Sequence, residues 1–220
     1  MKRLENTPDE RISGIIKGLR KIYPDAGVEL DFSNIWELMM AVILSAQCTD
    51  VRVNMVTPEL FKKHPTVKSI AEANITELEQ QIYSTGFYRN KAKNIQNAAR
   101  ELIANFGGKV PSTMDQLLTL PGVARKTANV ILSSGFGKDY GVVVDTHMIR
   151  ICGLLGLVSP KAVKTKNAVQ IEKELMKIVP KKYWGLFSHL IVWHGRRVCI
   201  ARRPQCDKCV INHLCPGSIV

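Results

Sequence analysis

Two groups of residues in this chain have the types and spacing that chemistry needs. Cys199, Cys206, Cys209 and Cys215 follow the pattern Cys-x6-Cys-x2-Cys-x5-Cys, compact enough for four thiolates to converge on one centre. Structural zinc sites usually offer two close pairs of ligands, whereas only Cys206 and Cys209 form one here. The spacing alone therefore leaves zinc and an iron-sulfur cluster evenly matched. Cys48 and Cys152 stand apart and read as small buried hydrophobes. Crowding four of six cysteines into one tail is the distribution of a metal site in a reducing compartment, not of a disulfide scaffold.

The second group is Lys126 with Asp145. Lys126 lies in Leu117-Leu118-Thr119-Leu120-Pro121-Gly122-Val123-Ala124-Arg125-Lys126-Thr127-Ala128, a tight Pro-Gly turn between two helical segments. The amides that open the second helix lack intrahelical partners, and their positive dipole end favours an anion. Gly122 lets a phosphate approach without an intervening side chain. A lysine at a helix start feels that positive end, and partial burial would add desolvation; both favour the neutral amine that a nucleophile requires. The same lysine could equally be a phosphate contact. Asp145, in Val144-Asp145-Thr146-His147, immediately precedes a helical pattern and reads first as an N-cap. A carboxylate that accepts backbone N–H bonds stays ionised, as stabilising a developing positive charge or assisting proton transfer demands.

These residues must be held by a packed scaffold. An apolar share of 45% with 23% charged residues is ordinary for a globular chain and excludes general disorder. Met1 to Glu10 is polar, and no run approaches the roughly 18 apolar residues of a membrane span, so no membrane partner is expected and a cytoplasmic location is. Lys and Arg number 31 against 19 Asp and Glu, and the formal charge of +12 points towards a polyanion.

Apolar periodicity places helices near Ile12 to Ile22, opened by a capping box over Thr7-Pro8-Asp9-Glu10, and near Ile35 to Ala46, which should be buried. Others are expected near Val51 to Lys62, Ile75 to Tyr83, Asn90 to Phe106, Met114 to Leu120, Arg125 to Ser134, Thr146 to Leu155, Asn167 to Val179 and Tyr183 to Gly195. Only Val142 to Val144 looks strand-like, too little to found a sheet, so the class is all-α. No repeat or Pro/Gly/Ser linker divides the chain.

The hairpin segment resembles the helix-hairpin-helix motif of the DNA glycosylase family that includes endonuclease III, whose pattern is Leu-Pro-Gly-Val-Gly followed two residues on by lysine. Ala124 departs from it, standing where the second glycine is usual; this matters if the position needs a positive φ. Hairpin, Val-Asp-Thr-His segment and cysteine loop all agree with that one family. The resemblance implies two helical domains, a six-helix domain over 28–138 that contains the hairpin and a cluster domain of 1–27 plus 139–220. It implies one 4Fe-4S cluster on Cys199, Cys206, Cys209 and Cys215, and Lys126 and Asp145 as the catalytic pair.

The activity so implied is excision of damaged pyrimidines from duplex DNA and AP lyase cleavage 3′ of the abasic site through a lysine Schiff base. Gly122, Val123, Ala124 and Thr127 would hold phosphate, and so would Arg202 and Arg203 in the loop between the first two cysteines. An extruded base leaves a gap and requires a wedge. Leu44-Ser45-Ala46-Gln47-Cys48-Thr49-Asp50 resembles the gap-filling segment and assigns that role to Gln47; Gly86-Phe87-Tyr88 resembles the wedge loop and assigns Phe87, where leucine is usual. From the residues alone, Gln47 could instead cap the next helix, and Phe87 could be a core aromatic. A monomer acting on double-stranded DNA, at the nucleoid in a prokaryote, is the expectation. Two rivals remain: a mismatch adenine glycosylase, which normally has serine in place of Lys126, and a non-catalytic DNA binder.

Overall fold

The computed structural model describes residues 8–220; Thr7, the expected cap of the first helix, lies outside them. All regular structure among these residues is helical. The chain runs through α1 (Pro8–Ile22), α2 (Ile35–Leu44), α3 (Asp50–Lys63), α4 (Val67–Ala71), α5 (Ile75–Gln81), α6 (Tyr88–Phe106), α7 (Met114–Leu117), α8 (Arg125–Val130), α9 (Thr146–Leu154), α10 (Pro160–Lys164), α11 (Ala168–Ile178) and α12 (Trp184–Arg197), with short 3-10 turns between and after. The described residues up to Gly27, with Asp139–Val220, make one compact unit, and Val28–Lys138 make a second.

In the 28–138 unit, α2 is apolar on every side beyond Glu37 in its first turn, and Leu38 to Leu44 are all buried, as a stretch without a polar face must be. Its start is fixed by Asn34, whose side chain accepts from the Glu37 amide at 3.0 Å. The long α6 presents Ala92, Ile95, Ala99 and Leu102 to the same core. It ends where Gly107 and Gly108 take φ values of +58° and +75°, so that the Gly108 amide reaches back to the Leu102 carbonyl at 2.8 Å.

In the other unit, α1 buries Ile12, Ile15, Ile16 and Leu19 in a core shared with α11 and α12. Two glycines make notches in α1 for the chain's tail. A Cβ on Gly14 would lie 2.9 Å from Leu214, and one on Gly18 would lie 3.0 Å from Ile211. Arg11 fastens the same junction by donating to the carbonyls of Leu155 and Leu214.

Several expected boundaries move. Val142 to Val144 forms no strand: the segment is held by the Ser188 hydroxyl, which accepts from the Val143 amide at 2.9 Å. A three-residue β-branched run without a neighbouring edge has nothing to pair with. The helix expected to reach Leu120 stops at Leu117 and tightens, with the Thr119 and Leu120 amides bonding to Gln116 and Leu117. Helix α8 widens into a π turn over Ile131–Gly135, where Gly135 passes so close to α2 that a Cβ would lie 3.1 Å from Leu38. Helices α4 and α10 were not expected; each is five residues long.

Candidate active site and cluster loop

The hairpin of the 28–138 unit is built from α7, the turn after it and α8. Gly122 sits at φ +78°, and a Cβ there would lie 2.9 Å from the Asn94 side chain of α6, so both conformation and space demand glycine. The Val123 amide closes the turn on Leu120 at 3.1 Å, and its side chain is buried. Ala124 has φ −88° and ψ 171°, extended backbone open to any residue. The alanine therefore leaves the turn undisturbed. Lys126 lies in the first turn of α8 and is exposed, so the chain itself does not supply the partial burial expected for it. Thr127 is half-buried beside it.

Gln47 and Phe87 belong to the same unit. The cap of α3 is Thr49, whose hydroxyl accepts from the Arg52 amide at 3.2 Å, and not Gln47. Gln47 is instead an exposed residue at φ +54°. Phe87 is likewise outside the core, 64% exposed and at φ +48°. Both are non-glycine residues held in the left-handed region, where conformations persist only if the surroundings impose them.

Asp145 belongs to the other unit, where it caps α9: its carboxylate accepts from the Met148 amide at 2.8 Å. A close helix crossing sets its height. A Cβ on Gly195 of α12 would lie 2.6 Å from the His147 side chain and 2.8 Å from that of Ile151, so these α9 side chains pack directly on the α12 backbone.

The cysteine tail follows α12. The Gln205 amide donates to the Val198 carbonyl at 3.0 Å and closes the loop that carries Arg202 and Arg203, both exposed. Cys199, Cys206, Cys209 and Cys215 are free thiols, all half-buried, and all four line one cavity of about 280 Å³. Among the described residues, no three His, Cys, Asp or Glu side chains are grouped so as to hold a single metal ion. Four thiols lining one cavity supply the all-cysteine ligand set that an iron-sulfur cluster takes.

Burial pushes the Cys209 thiol up to about 11; the Ile211 amide opposes this, and the other three cysteines reinforce it. Burial raises Cys215 too, against its bond from the Gly217 amide, with Cys199 and Cys206 adding to the rise. Thiols that repel one another's ionised forms are the donors a cationic cluster would deprotonate.

Two further contacts on these ligands carried no spacing signal in the sequence. Arg150 donates to the Cys199 sulfur at 3.3 Å and to its carbonyl at 2.6 Å. His194, 1% exposed, places Nε2 at 3.4 Å from the Cys209 sulfur. Burial, helped by the Arg150 charge, holds this imidazole down to about 4.

Residues 40–181 match the HhH-GPD superfamily of base excision DNA repair proteins, and 199–215 match the iron-sulfur binding domain of endonuclease III. The chain is 49% identical to endonuclease III of Synechocystis sp., over 95% of this chain and 93% of that one. It is 39% identical to that of Escherichia coli, over 91% and 92%. A solved structure of a trapped endonuclease III–DNA covalent intermediate superposes with a TM-score of 0.87 at 43% identity, covering 97% of both chains. The fold also matches a thermostable thymine-DNA glycosylase, with a TM-score of 0.83 at 19% identity. The chain belongs to the endonuclease III family of the HhH-GPD superfamily. It is an enzyme of base excision repair, a DNA glycosylase with AP lyase activity, and carries one 4Fe-4S cluster.

Proposed function

We propose that this enzyme excises oxidised or otherwise damaged pyrimidines from duplex DNA and cuts 3′ of the resulting abasic site, with Lys126 as nucleophile and Asp145 as its carboxylate partner. The observation that carries the reading is Lys126 itself: an exposed amine in the first turn of α8, four residues beyond the Gly122 turn. The turn supports a phosphate at Gly122, Ala124 and Thr127, where the amides at the start of α8 have no intrahelical acceptors.

In this mechanism the Lys126 amine attacks the sugar C1′. A C–N bond forms as the glycosidic bond breaks, and the base leaves with the electron pair and takes up a proton. The sugar ring opens to a Schiff base, whose electron-withdrawing carbon acidifies the C2′ proton. Loss of that proton expels the 3′ phosphate, and water then releases the lysine. The Asp145 carboxylate, held at the start of α9, stabilises positive charge as the base departs.

Gln47 fills the gap, and Phe87 wedges the stack. Their exposure and left-handed backbone are what a protruding probe requires. Cys199, Cys206, Cys209 and Cys215 hold the cluster, which when bound cross-links four points of a tail containing only short 3-10 turns, leaving Arg202 and Arg203 free to meet phosphate. The two units are the hairpin and cluster domains of the enzyme, which acts as a cytoplasmic monomer, on the nucleoid in a prokaryote. No helix among the described residues is long and apolar enough to cross a membrane.

Borohydride trapping on duplex DNA that contains thymine glycol tests the assignment. A covalent adduct is expected with the unaltered protein and none with Lys126→Ala. An adduct with that variant removes Lys126 from the role.

A further inference from the structure

Lys91 has no part in the chemistry above, yet it is among the most buried charged residues described. It lies in the first turn of α6 at 4% exposure, next to Ala92 and one helical turn before Ile95, both fully buried. Its Nζ donates to the backbone carbonyl of Thr85 at 2.7 Å. Thr85 is itself buried and tied down: its amide and hydroxyl both bond to the Ile82 carbonyl, at 3.0 and 2.8 Å.

Immediately after Thr85 the chain reverses into α6 through Gly86 at φ +70° and Phe87 at φ +48°, and no side chain caps the helix at Phe87. The turn that exposes Phe87 is thus held from behind by a carbonyl on one side of it and by the Lys91 amide, which bonds to the Phe87 carbonyl at 3.1 Å, on the other. Burial pushes the pKa of the Lys91 ammonium below the usual lysine value.

We propose that Lys91 is a positioning residue for base extrusion: its buried ammonium braces the Thr85 carbonyl and fixes the Gly86-Phe87 turn, so that Phe87 meets the base stack as a rigid wedge. The inference rests on the reading of Phe87 as the wedge. A wedge on a yielding loop would fold back instead of parting the bases, because unstacking is itself unfavourable. A buried ammonium facing one carbonyl is an unfavourable arrangement for stability alone, and an apolar residue would fill the stripe with less desolvation.

The test uses the cluster-loaded protein at saturation on a duplex that carries an uncleavable abasic analogue with 2-aminopurine beside it, whose fluorescence rises when the stack opens. Phe87→Ala is expected to abolish most of the rise. Lys91→Met keeps the volume and removes the donor; it is expected to lower the rise to nearly the same level and to reduce kcat for thymine glycol excision about tenfold, the scale of one charge-assisted hydrogen bond, with a smaller change in KM. Lys91→Met combined with Phe87→Ala is expected to be no worse than Phe87→Ala alone, because the brace acts through Phe87.

A full rise with Lys91→Met, beside a lost rise with Phe87→Ala, overturns the brace and leaves the wedge intact. A full rise with Phe87→Ala overturns the wedge reading and the brace with it. Additive losses in the double variant place the effect of Lys91 elsewhere and overturn the proposal. Lys91→Leu, which also removes the donor and leaves no buried polar group unpaired at its own position, replaces Lys91→Met if the latter does not fold, with the same outcomes.

Discussion

Ala124 shows how little a residue's departure from a pattern says until its backbone is known. At φ −88° it occupies ordinary extended space, so a second glycine in the hairpin would bring no conformational release, while Gly122 at φ +78°, packed on Asn94, has no substitute. Ala124→Gly is expected to leave affinity for an abasic-analogue duplex within about twofold by fluorescence anisotropy, because the amide donor is kept and glycine is an acceptable N-cap. A severalfold gain would mean that the alanine methyl obstructs the phosphate. Lys126, Asp145 and the cysteines could be proposed from the sequence because chemistry constrains residue type and spacing. Lys91 gave no signal in the sequence, because the carbonyl it bonds belongs to a turn whose path no local pattern reveals.

Elements were legible where they are long enough to repeat. Helices α1, α6 and α11 show several turns of one apolar face, whereas α4 and α10, at five residues, complete little more than one turn and carry only their caps as a signal. The cap of α10 is also buttressed from outside. Glu174 of α11 accepts from the Ser159 amide at 2.7 Å and from its hydroxyl at 2.9 Å. The Ser159 amide is the first cause of a lowered Glu174 pKa, and Gln170 adds to it. A carboxylate with a depressed folded-state value stabilises the fold above its unfolded value and loses that contribution as pH falls through the folded one. Glu174→Ala is expected to destabilise the protein by about 1 kcal/mol at pH 7, allowing for its partial exposure. In urea unfolding from pH 7 to pH 4, the gap between the two proteins should begin to close below the ordinary carboxylate value of 4.5. A gap independent of pH would show that packing, not charge, holds the two helices.

At the scale of the whole chain, the unit formed by both ends leaves no compositional mark. Its crossings at residues 27–28 and 138–139 follow Pro24 to Gly27 and Ser133 to Gly137, turn-forming stretches too short to read as linkers, and the notches of Gly14 and Gly18 join α1 to a tail nearly 200 residues away in sequence. Net charge is the opposite case: +12 is plain in the sequence, but its distribution is not. The structure puts Arg202 and Arg203, both exposed, on a loop closed at its base by the bond from Gln205 to Val198 and flanked by Cys199 and Cys206. A loop so anchored can present two guanidinium groups to a backbone without first having to be ordered. Each phosphate neutralised on duplex DNA contributes about −0.9 to the slope of log affinity against log salt. Replacing both arginines with alanine should therefore make that slope shallower by about 1.8 between 50 and 200 mM salt if each meets one phosphate. Anisotropy on a duplex with an abasic analogue measures it. An unchanged slope with the cluster still in place would assign both arginines to ordinary solvated surface and move the source of the salt dependence to the lysines and arginines of the other unit.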